Sequence, residues 1–543
     1  MEFIMDMVHH NPGEAPTETA FLNPVKLREY GYRAQVFKHI NTAVDFSEYD
    51  PKIFPEGSEA KQWIDQFAEG IDAEIKRAKE AGLKVYYHID LFVLPRTLVE
   101  RYQKEICDEN GKISLRRDKT LEIHRALFDA MFRRSPDVDG LIIRVGETYL
   151  HDTPYHVGNG AVIYGDKEKE KQDFAFLLQF LREEVCVRHG RYLFFRTWDC
   201  FPDRFHADPE YYQEVCAQVE PHEKLLFSIK HTALDFWRRV KFNPCITLGK
   251  HRQIIEVQCQ REYEGKGAYP MYVMDGIINT FEEYTSPRGL KDVAGHSLVC
   301  GIYTWSRGGG WEGPYLHNEF WCDLNTYVIA QYAQDPSRTE EEVFYTYTRE
   351  HMGLEKEDGK KFRRLCLLAC RAELLGRYVQ AYDDIHLHQS IMPCGNWIRD
   401  DKLGGLNQLE EVFAALYQDG TLRETLVEKR QAVRIWEEIE ELYHSIKFPD
   451  KELGAYIGVS VNYGAALFRI IYHGWAVMVE GYCGDHTGVY DIETLKIQLA
   501  AYDAAWEAYR RVGQQKDCAT LFHGNYLNEP GIDESVNRYR DKI

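Results

Sequence analysis

An alternation of short and long segments runs through residue 335 and leaves few folds open to this chain. Eight short runs rich in β-branched and aromatic residues are separated by longer stretches whose apolar residues follow helical spacing. Strands that alternate with helices form parallel sheets, and eight such units can close into a barrel. We therefore predict a (β/α)8 TIM barrel over residues 1–338. The eight runs lie at 3–10, 33–41, 84–92, 140–147, 192–199, 225–232, 252–263 and 301–309.

The pattern changes beyond residue 338. Four long stretches carry apolar residues at a period near 3.6, and strand-like runs are scarce. The segment at 336–341, PSRTEE, combines a turn with the start of a capped helix. We therefore predict an α-helical C-terminal domain over residues 339–543.

Charge and cysteine content narrow the class of partner. The 543 residues include 86 acidic and 66 basic ones, a net charge of −20 that argues against binding nucleic acid. No apolar run of about 18 residues occurs, so we expect no membrane-spanning helix. The N-terminal segment lacks the basic and apolar regions of a signal peptide. Because the 13 cysteines are scattered and odd in number, we expect reduced thiols and a cytoplasmic protein.

Polar residues lie at the ends of the predicted strands. In a TIM barrel the active site is built at the carboxyl ends of the strands, so polar residues there are candidates for substrate contact. Each alone could also be the start of an ordinary loop. The eight are His9, His39, Asp90, Glu147, Asp199, Lys230, Glu262 and Arg307.

The seventh run, RQIIEVQCQREY, has polar residues at every second position. On a strand, Glu256, Gln258, Gln260 and Glu262 would share one face, opposite Ile255 and Val257. The apolar face suits packing against helices, which leaves the polar face for the barrel interior. A solvent-facing edge is the alternative. Glu262, at the end of the run, is the best placed for catalysis.

Three carboxyl groups are expected around the barrel mouth. Glu147 follows the fourth run, Asp235 follows the sixth, and Glu262 ends the seventh. Glycoside hydrolysis requires such a set, because one carboxylic acid protonates the leaving oxygen while a carboxylate activates water or attacks the sugar. Mutual repulsion would keep one of them protonated near neutral pH. This chemistry needs no metal or organic cofactor.

Three cations are expected at the same edge of the barrel. Arg144, Arg196 and Lys230 lie near the ends of the fourth, fifth and sixth runs. Guanidinium forks and a lysine charge match a carboxylate, which favours an anionic substrate. Ion pairs with neighbouring acids are the alternative. Trp305 and Trp311, near the last run, could stack on a sugar ring or simply pack in the core.

The segments GLIIRVGETYLHDTPYHVGNGA, SIKHTALDFWRR and IIEVQCQREYEG resemble the α-glucuronidases of glycoside hydrolase family 67, across roughly residues 140–350. The resemblance implies that Glu147 is the general acid, and that Asp235 and Glu262 activate water for inversion. It also implies that Arg144, Arg196 and Lys230 hold the uronate carboxylate, and that the helical domain forms a homodimer.

The chain departs from the family pattern in several places. The first predicted strand begins near Met1, so we expect no counterpart of the family's N-terminal β-rich domain. The acid segment reads Gly-Glu-Thr where the family has Ser-Glu-Gly. The spacing from Asp235 to Glu262 is one residue shorter, which leaves Glu256 as a second candidate for the base. The resemblance is that of a divergent relative.

The sequence thus predicts an inverting exo-glycosidase that releases α-linked uronic acid, such as α-glucuronosyl residues, from oligosaccharides or glycosides. Three alternatives remain open. A related α-glycosidase could act on a different sugar. A divalent-metal lyase or isomerase could use the same carboxylates with His39, His88 or His231. A non-catalytic relative could keep the barrel only to bind sugar.

Overall fold

The chain forms a closed barrel of eight parallel strands in a computed structural model, which describes residues 1–543 except 10–13, 15–18, 149, 311–312, 384–397, 399–401 and 526–529. Each strand pairs with its neighbours along the chain, and the last pairs with the first. The strands are β1 (Phe3–Val8), β2 (Ala34–Lys38), β3 (Lys84–Asp90), β4 (Gly140–Arg144), β5 (Tyr192–Arg196), β6 (Leu225–Lys230), β7 (Arg252–Gln258) and β8 (Val299–Arg307).

The predicted TIM barrel is confirmed, since each of the eight sequence runs contains a barrel strand or overlaps one. Most strands end before their runs do. The largest difference is at β7, which ends at Gln258 rather than continuing to residue 263. The backbone of Arg261 is left-handed, with φ at 47°, so strand geometry is lost before Glu262.

Alternate residues of the strands fill the barrel interior. Aliphatic and aromatic side chains pack there into a separate apolar cluster, while their sequence neighbours face the surrounding helices. The strand residues of this cluster are Phe3, Met5, Met7, Ala34, Val36, Tyr86, Ile142, Phe194, Leu226, Ile254, Tyr303 and Trp305. Residues of the same parity nearer the carboxyl ends therefore reach the mouth of the barrel.

Helices cover most of the outside of the barrel. The connection from β6 to β7, residues 231–251, contains no helix and instead folds back through an antiparallel bridge between Thr232 and Phe242. This connection carries Asp235 over the mouth. The helices of this half are α1 (Pro24–Glu29), α2 (Glu59–Glu80), α3 (Arg96–Ile106), α4 (Asp118–Arg134), α5 (Lys167–Leu181), α6 (Pro209–Ala217), α7 (Met274–Ile278) and α8 (Phe320–Gln334).

Beyond residue 338 the chain is mainly helical where the structure describes it. The first of these helices begins after Thr339, whose hydroxyl accepts a hydrogen bond from the Glu342 backbone in a capping box. The division into two domains at residue 338 stays a prediction. The helices are α9 (Glu340–Glu350), α10 (Lys356–Arg377), α11 (Gln380–Tyr382), α12 (Leu406–Gln418), α13 (Thr425–Ser445), α14 (Lys451–Thr487), α15 (Ile492–Val512) and α16 (Ile532–Arg540).

Helix α14, with 37 residues, is the longest described helix and is not among those predicted from the sequence. Six glycines interrupt its pattern, and a Cβ added at any of them would overlap a bulky neighbouring side chain. At Gly464 that neighbour is the ring of Trp436 in α13. None of the described helices is both long enough and apolar enough to cross a bilayer.

The C-terminal helices contact the barrel directly behind the end of β7. The buried carboxylate of Glu264 accepts hydrogen bonds from Arg261 Nε (2.6 Å), the Arg238 backbone nitrogen (2.5 Å) and the hydroxyl of Tyr378 (2.9 Å), the residue that follows α10. Lys429 of α13 in turn donates to the carbonyl oxygens of Leu375 and Tyr378. The loop that carries Glu262 is therefore held from behind by the helical region.

Candidate active site

Charged and amide side chains occupy the interior face of the barrel at its carboxyl end. They continue the parity of the apolar interior cluster, so the alternation of the strands places them in the mouth. Most are fully or nearly fully buried. They are Lys38 on β2, His88 and Asp90 on β3, Arg144 on β4, Arg196 on β5, Lys230 on β6, and Glu256 and Gln258 on β7.

Glu147 lies in the loop after β4 and is half-buried. Its Oε2 accepts a hydrogen bond of 3.0 Å from the indole nitrogen of Trp198, which follows β5. Gly146, the residue before Glu147, lies so close to Trp198 that a Cβ there would be 2.5 Å from the Trp198 carbonyl oxygen. Close packing of the two loops thus fixes the carboxyl group at the rim.

Asp235 is held as a carboxylate. Its Oδ1 accepts from Lys230 Nζ at 2.5 Å and its Oδ2 accepts from the hydroxyl of Tyr263 at 2.9 Å. Burial by itself would raise the pKa of Asp235, but the charge and hydrogen bond of Lys230, together with Tyr263, outweigh burial and lower it. The side chain keeps 17% of its surface exposed, so it can still reach a water molecule in the mouth.

Glu262 reaches the mouth by a different route from the one predicted. The prediction that Gln260 and Glu262 share the strand face of Glu256 is wrong, because β7 ends at Gln258. The chain turns back so that the Glu262 backbone nitrogen donates to Gln258 Oε1 at 3.0 Å. A Cβ at Gly309 would lie 2.8 Å from Glu262 Oε2, and φ is 101° there, so glycine is required beside this carboxylate.

A tryptophan and a lysine connect Glu147 to Asp235. Lys230 Nζ lies 3.6 Å from the centre of the Trp198 ring while it donates to Asp235, and the edge of the same indole donates to Glu147. Burial, with Glu147 close by, raises the pKa of the nearby Cys200 to about 12. The candidate acid and base therefore face one mouth, with an aromatic ring and an ammonium group between them.

The three predicted substrate cations each have a carboxylate partner within the protein. Arg144 is 4% exposed and donates two hydrogen bonds of 2.5 Å to Asp90. Arg196 is 1% exposed and donates two of 2.8 Å to Glu256, while Lys230 is paired with Asp235 as described above. Their geometry is therefore that of ion pairs with neighbouring acids, the alternative to binding a substrate carboxylate.

Glu256, the second candidate for the base, is fully buried. It accepts hydrogen bonds from the hydroxyl of Ser228 and from Nε and Nη2 of Arg196. Burial would raise its pKa, but Arg196 and Lys230 together lower it, so it is an ion-pair partner in the wall of the barrel. Its position does not present it to a water molecule in the mouth as that of Asp235 does.

Two neutral donors line the floor of the site. Trp305 on β8 stacks on His9 with ring centres 4.9 Å apart, and its register partner on β7 is Gln258. Both the indole nitrogen of Trp305 and Nε2 of Gln258 are buried, and neither has a hydrogen-bond partner among the described residues. Buried N–H groups without partners are costly, so the floor is suited to oxygen atoms of a ligand. Trp311 lies outside the described residues.

Three features of the site were not predicted from the sequence: Lys38, Trp198 as a partner of Glu147, and Tyr263 as a partner of Asp235. The residue predicted for the second run is His39, which follows the strand. The signal that identifies Lys38 is parity, since Lys38 continues the interior positions Ala34 and Val36. The two other contacts join distant loops and carry no local sequence signal.

The histidines predicted as possible metal ligands belong to no ligand cluster among the described residues. His88 lies beside Arg144 and Arg196, and burial followed by these cations holds its pKa well below the usual range. Burial, followed by Lys38, lowers the pKa of His39 to about 4. Over the described ranges, no three His, Cys, Asp or Glu side chains are arranged to hold a metal ion.

The fold has solved counterparts among glycoside hydrolases. A GH138 enzyme targeting pectin rhamnogalacturonan II superposes with a TM-score of 0.56 and 13% identity, over 99% of this chain and 66% of that one. This chain thus spans slightly less than two thirds of that enzyme's length. An O-GlcNAc hydrolase of Thermobaculum terrenum gives a TM-score of 0.40 at 10% identity, over 100% of this chain and 93% of that one. At such identities the likeness is one of fold.

Comparison of the sequence with known proteins assigns the chain to no family. The sequence matches no protein-family model and no curated protein. The GH138 enzyme belongs to a glycoside hydrolase family other than 67 and shares only its fold with this chain, so the resemblance to family 67 stays a prediction.

Proposed function

We propose that this protein is an inverting exo-glycosidase that releases α-linked uronic acid from oligosaccharides or glycosides. The observation that carries the proposal is the chain of contacts from Glu147 through Trp198 and Lys230 to Asp235 across the barrel mouth. This arrangement supplies the carboxyl pair that glycoside hydrolysis requires. The fold shared with a GH138 enzyme targeting pectin rhamnogalacturonan II supports the reaction class.

Glu147 protonates the glycosidic oxygen, and Trp198 orients its carboxyl group. Asp235, ionised because Lys230 and Tyr263 lower its pKa, removes a proton from the attacking water. Glu262 binds the same water from the β7 side. The donors of Gln258 and Trp305 hold sugar hydroxyl groups at the floor.

Inversion follows from the separation of the two groups. An inverting enzyme leaves room for a water molecule, with its carboxyls about 6.5–9.5 Å apart, whereas a retaining enzyme brings them to about 5 Å. An indole ring and an ammonium group lie between Glu147 and Asp235, which supports the wider spacing. The sugar first released from an α-uronoside is then the β anomer, which proton NMR detects before mutarotation.

The test is hydrolysis of α-glucuronosides and α-galacturonosides by wild type, Glu147→Gln and Asp235→Asn. Each variant should lose about 100-fold or more on oligosaccharides, the usual contribution of an acid or base. On 4-nitrophenyl α-uronosides Glu147→Gln should recover most of its rate, because that leaving group needs no proton, and Asp235→Asn should not.

Glu168→Gln, on the exposed first turn of α5, is the matched control and should behave as wild type. Wild-type turnover that Glu147→Gln retains on every substrate would assign the acid elsewhere. If wild type and the variants bind sugars but hydrolyse none, the protein is a non-catalytic sugar-binding relative.

A second candidate is a related α-glycosidase that acts on a neutral sugar. The specific observation in its favour is that Arg144, Arg196 and Lys230 are each already paired with a carboxylate. Neutral α-glycosides in the same panel distinguish the two, since hydrolysis of these alone would favour this candidate.

The assembly is a homodimer formed through the C-terminal helices. Three of the most exposed large apolar residues belong to this region: Val427 in α13 (68%), Val489 after α14 (76%) and Ile497 in α15 (60%). A contact between two copies would remove such apolar side chains from water. A cytoplasmic location stays a prediction from the cysteine content.

A further inference from the structure

Lys38 is the last residue of β2, and its side chain belongs to the mouth of the barrel. It continues the parity of Ala34 and Val36, which both lie in the interior cluster. Its register partner on β3 is His88. Lys38 therefore lies at the level of the charged side chains of the mouth and not among the apolar interior cluster. Its side chain is partly exposed, in contrast to the fully buried arginines.

The ammonium group of Lys38 has no hydrogen bond or ion pair with any residue that the structure describes. Each of the other three cations forms an ion pair with a carboxylate. The pairs are Arg144 with Asp90, Arg196 with Glu256 and Lys230 with Asp235. Asp90, the carboxylate on the neighbouring strand, already accepts two bonds from Arg144. A largely desolvated cation without a partner is unfavourable, and an anionic ligand would relieve it.

Burial, more than the surrounding charges, acts on the ammonium group of Lys38. Burial lowers the pKa of Lys38 to about 7, and the Arg144 charge acts in the same direction. The carboxylates of Asp152 and Asp90 oppose this, and Arg196 adds to it. An anion bound there would stabilise the protonated amine.

We propose that Lys38 is the residue that binds the carboxylate of the uronic acid substrate, a role that rests on the proposed function. Arg144, Arg196 and Lys230 build the wall of the pocket and set its potential, while Lys38 supplies the donor that a ligand can reach. This assignment reconciles an acidic sugar with a mouth in which the predicted cations are already paired.

The pH dependence of uronate binding follows from this role. The groups that face Lys38 are His39 after β2, His88 and Asp90 on β3, Arg144 on β4, Arg196 on β5 and Asp152 in the loop after β4. Of these, the two histidines are already neutral at pH 7 and the arginines stay charged. Loss of the Lys38 proton should therefore weaken uronate binding as pH rises from 7 to 9.

The experiment is calorimetric binding of free galacturonate, glucuronate, galactose and glucose to wild type, Lys38→Met and Lys38→Arg. At pH 6, wild type should prefer the matching uronate to its neutral sugar by at least tenfold. Lys38→Met should lose that preference and bind the neutral sugar as before. Lys38→Arg should keep the preference and lose its fall between pH 7 and 9, because arginine stays charged.

Lys84→Met, at the opposite end of the adjacent strand, is the matched control and should leave every affinity unchanged. Thermal unfolding verifies that each variant folds. A uronate preference that survives in Lys38→Met overturns the role of Lys38, as does wild type without any preference. Uronate binding that depends on Lys38 in a protein without turnover would uphold Lys38 and refute the hydrolase.

Discussion

Lys230 illustrates how much one side chain can determine at the residue scale. It donates to Asp235, lies over the face of Trp198, and is itself almost fully buried. The ion pair stabilises the ionised form of Asp235, and the ring shields the ammonium group from water. The protonation state of the candidate base thus depends on a cation that need not contact the sugar.

Removing that cation should change the pH profile of hydrolysis. In wild type the pKa of Asp235 is below its ordinary value, so the base stays ionised, and kcat/KM should be maintained down to about pH 4. In Lys230→Met, burial is no longer opposed by the lysine charge, the pKa rises, and the acidic limb should move to higher pH by one unit or more. The measurement is kcat/KM against pH on an activated α-uronoside.

Tyr263→Phe removes only one hydrogen bond to Asp235 and should shift the limb in the same direction by less. Lys241→Met, exposed in the same connection, is the control and should leave it unchanged. An acidic limb that stays in place in Lys230→Met would mean that Asp235 is not the base.

Which site residues the sequence could predict depends on how local their signal is. Glu147, Asp235 and Lys230 follow strand ends, and a barrel brings all strand ends together, so their presence at the mouth could be predicted. The contacts between strands could not be predicted, since Trp198 reaches Glu147, Asp90 reaches Arg144 and Glu256 reaches Arg196 from other strands and loops. For that reason Arg144 and Arg196 were indistinguishable from ligand-binding cations until their geometry was known.

At the scale of elements, close glycine contacts position the helices of the C-terminal region. Helix α14 packs its six glycines against bulky side chains of the elements around it, which brings the helix axes close together. The same glycines weaken the helical pattern of the sequence, because glycine is a poor helix former in isolation. Tertiary packing therefore stabilises α14 as a helix, although the helix propensity of its sequence is weak.

Gly464→Ala should destabilise the protein although alanine favours helix. The added methyl group meets the buried Trp436 ring, and overpacking of this kind costs about 1–3 kcal/mol, more than the roughly 1 kcal/mol gained in propensity. Gly70→Ala, in α2 with no atom near its Cβ position, should gain about 0.5–1 kcal/mol. Urea unfolding midpoints measure both, and equal stabilisation of the two variants would contradict the close packing of α13 and α14.

The strands were the more predictable elements. Buried β-branched and aromatic runs identify all eight, because a parallel strand covered on both faces leaves a continuous apolar signal. Their ends are less visible. The polar alternation of the seventh run continues past Gln258, yet the strand ends there and the backbone becomes left-handed at Arg261. Backbone angles of this kind leave little trace in composition.

At the scale of the whole molecule, the proposed homodimer can be tested directly. Light scattering after size exclusion should give twice the chain mass of 63.5 kDa. The double variant Val427→Asp with Ile497→Asp should give the monomer mass, because charges on a buried apolar contact are strongly unfavourable. Val25→Asp, at an exposed position in α1, should leave the dimer intact. A wild-type mass of 63.5 kDa would refute the dimer.

The hydrogen bonds from Tyr378 and Arg261 to Glu264 have a consequence for how such a protein can diversify. The segment that presents Glu262 is anchored to the end of α10, and α13 anchors that end in turn. A recombination event that exchanged only the barrel, or only the helices, would separate an acid from the hydroxyl that completes its bonding. New specificities in this lineage should therefore arise by substitution at the strand ends, with barrel and helices inherited together.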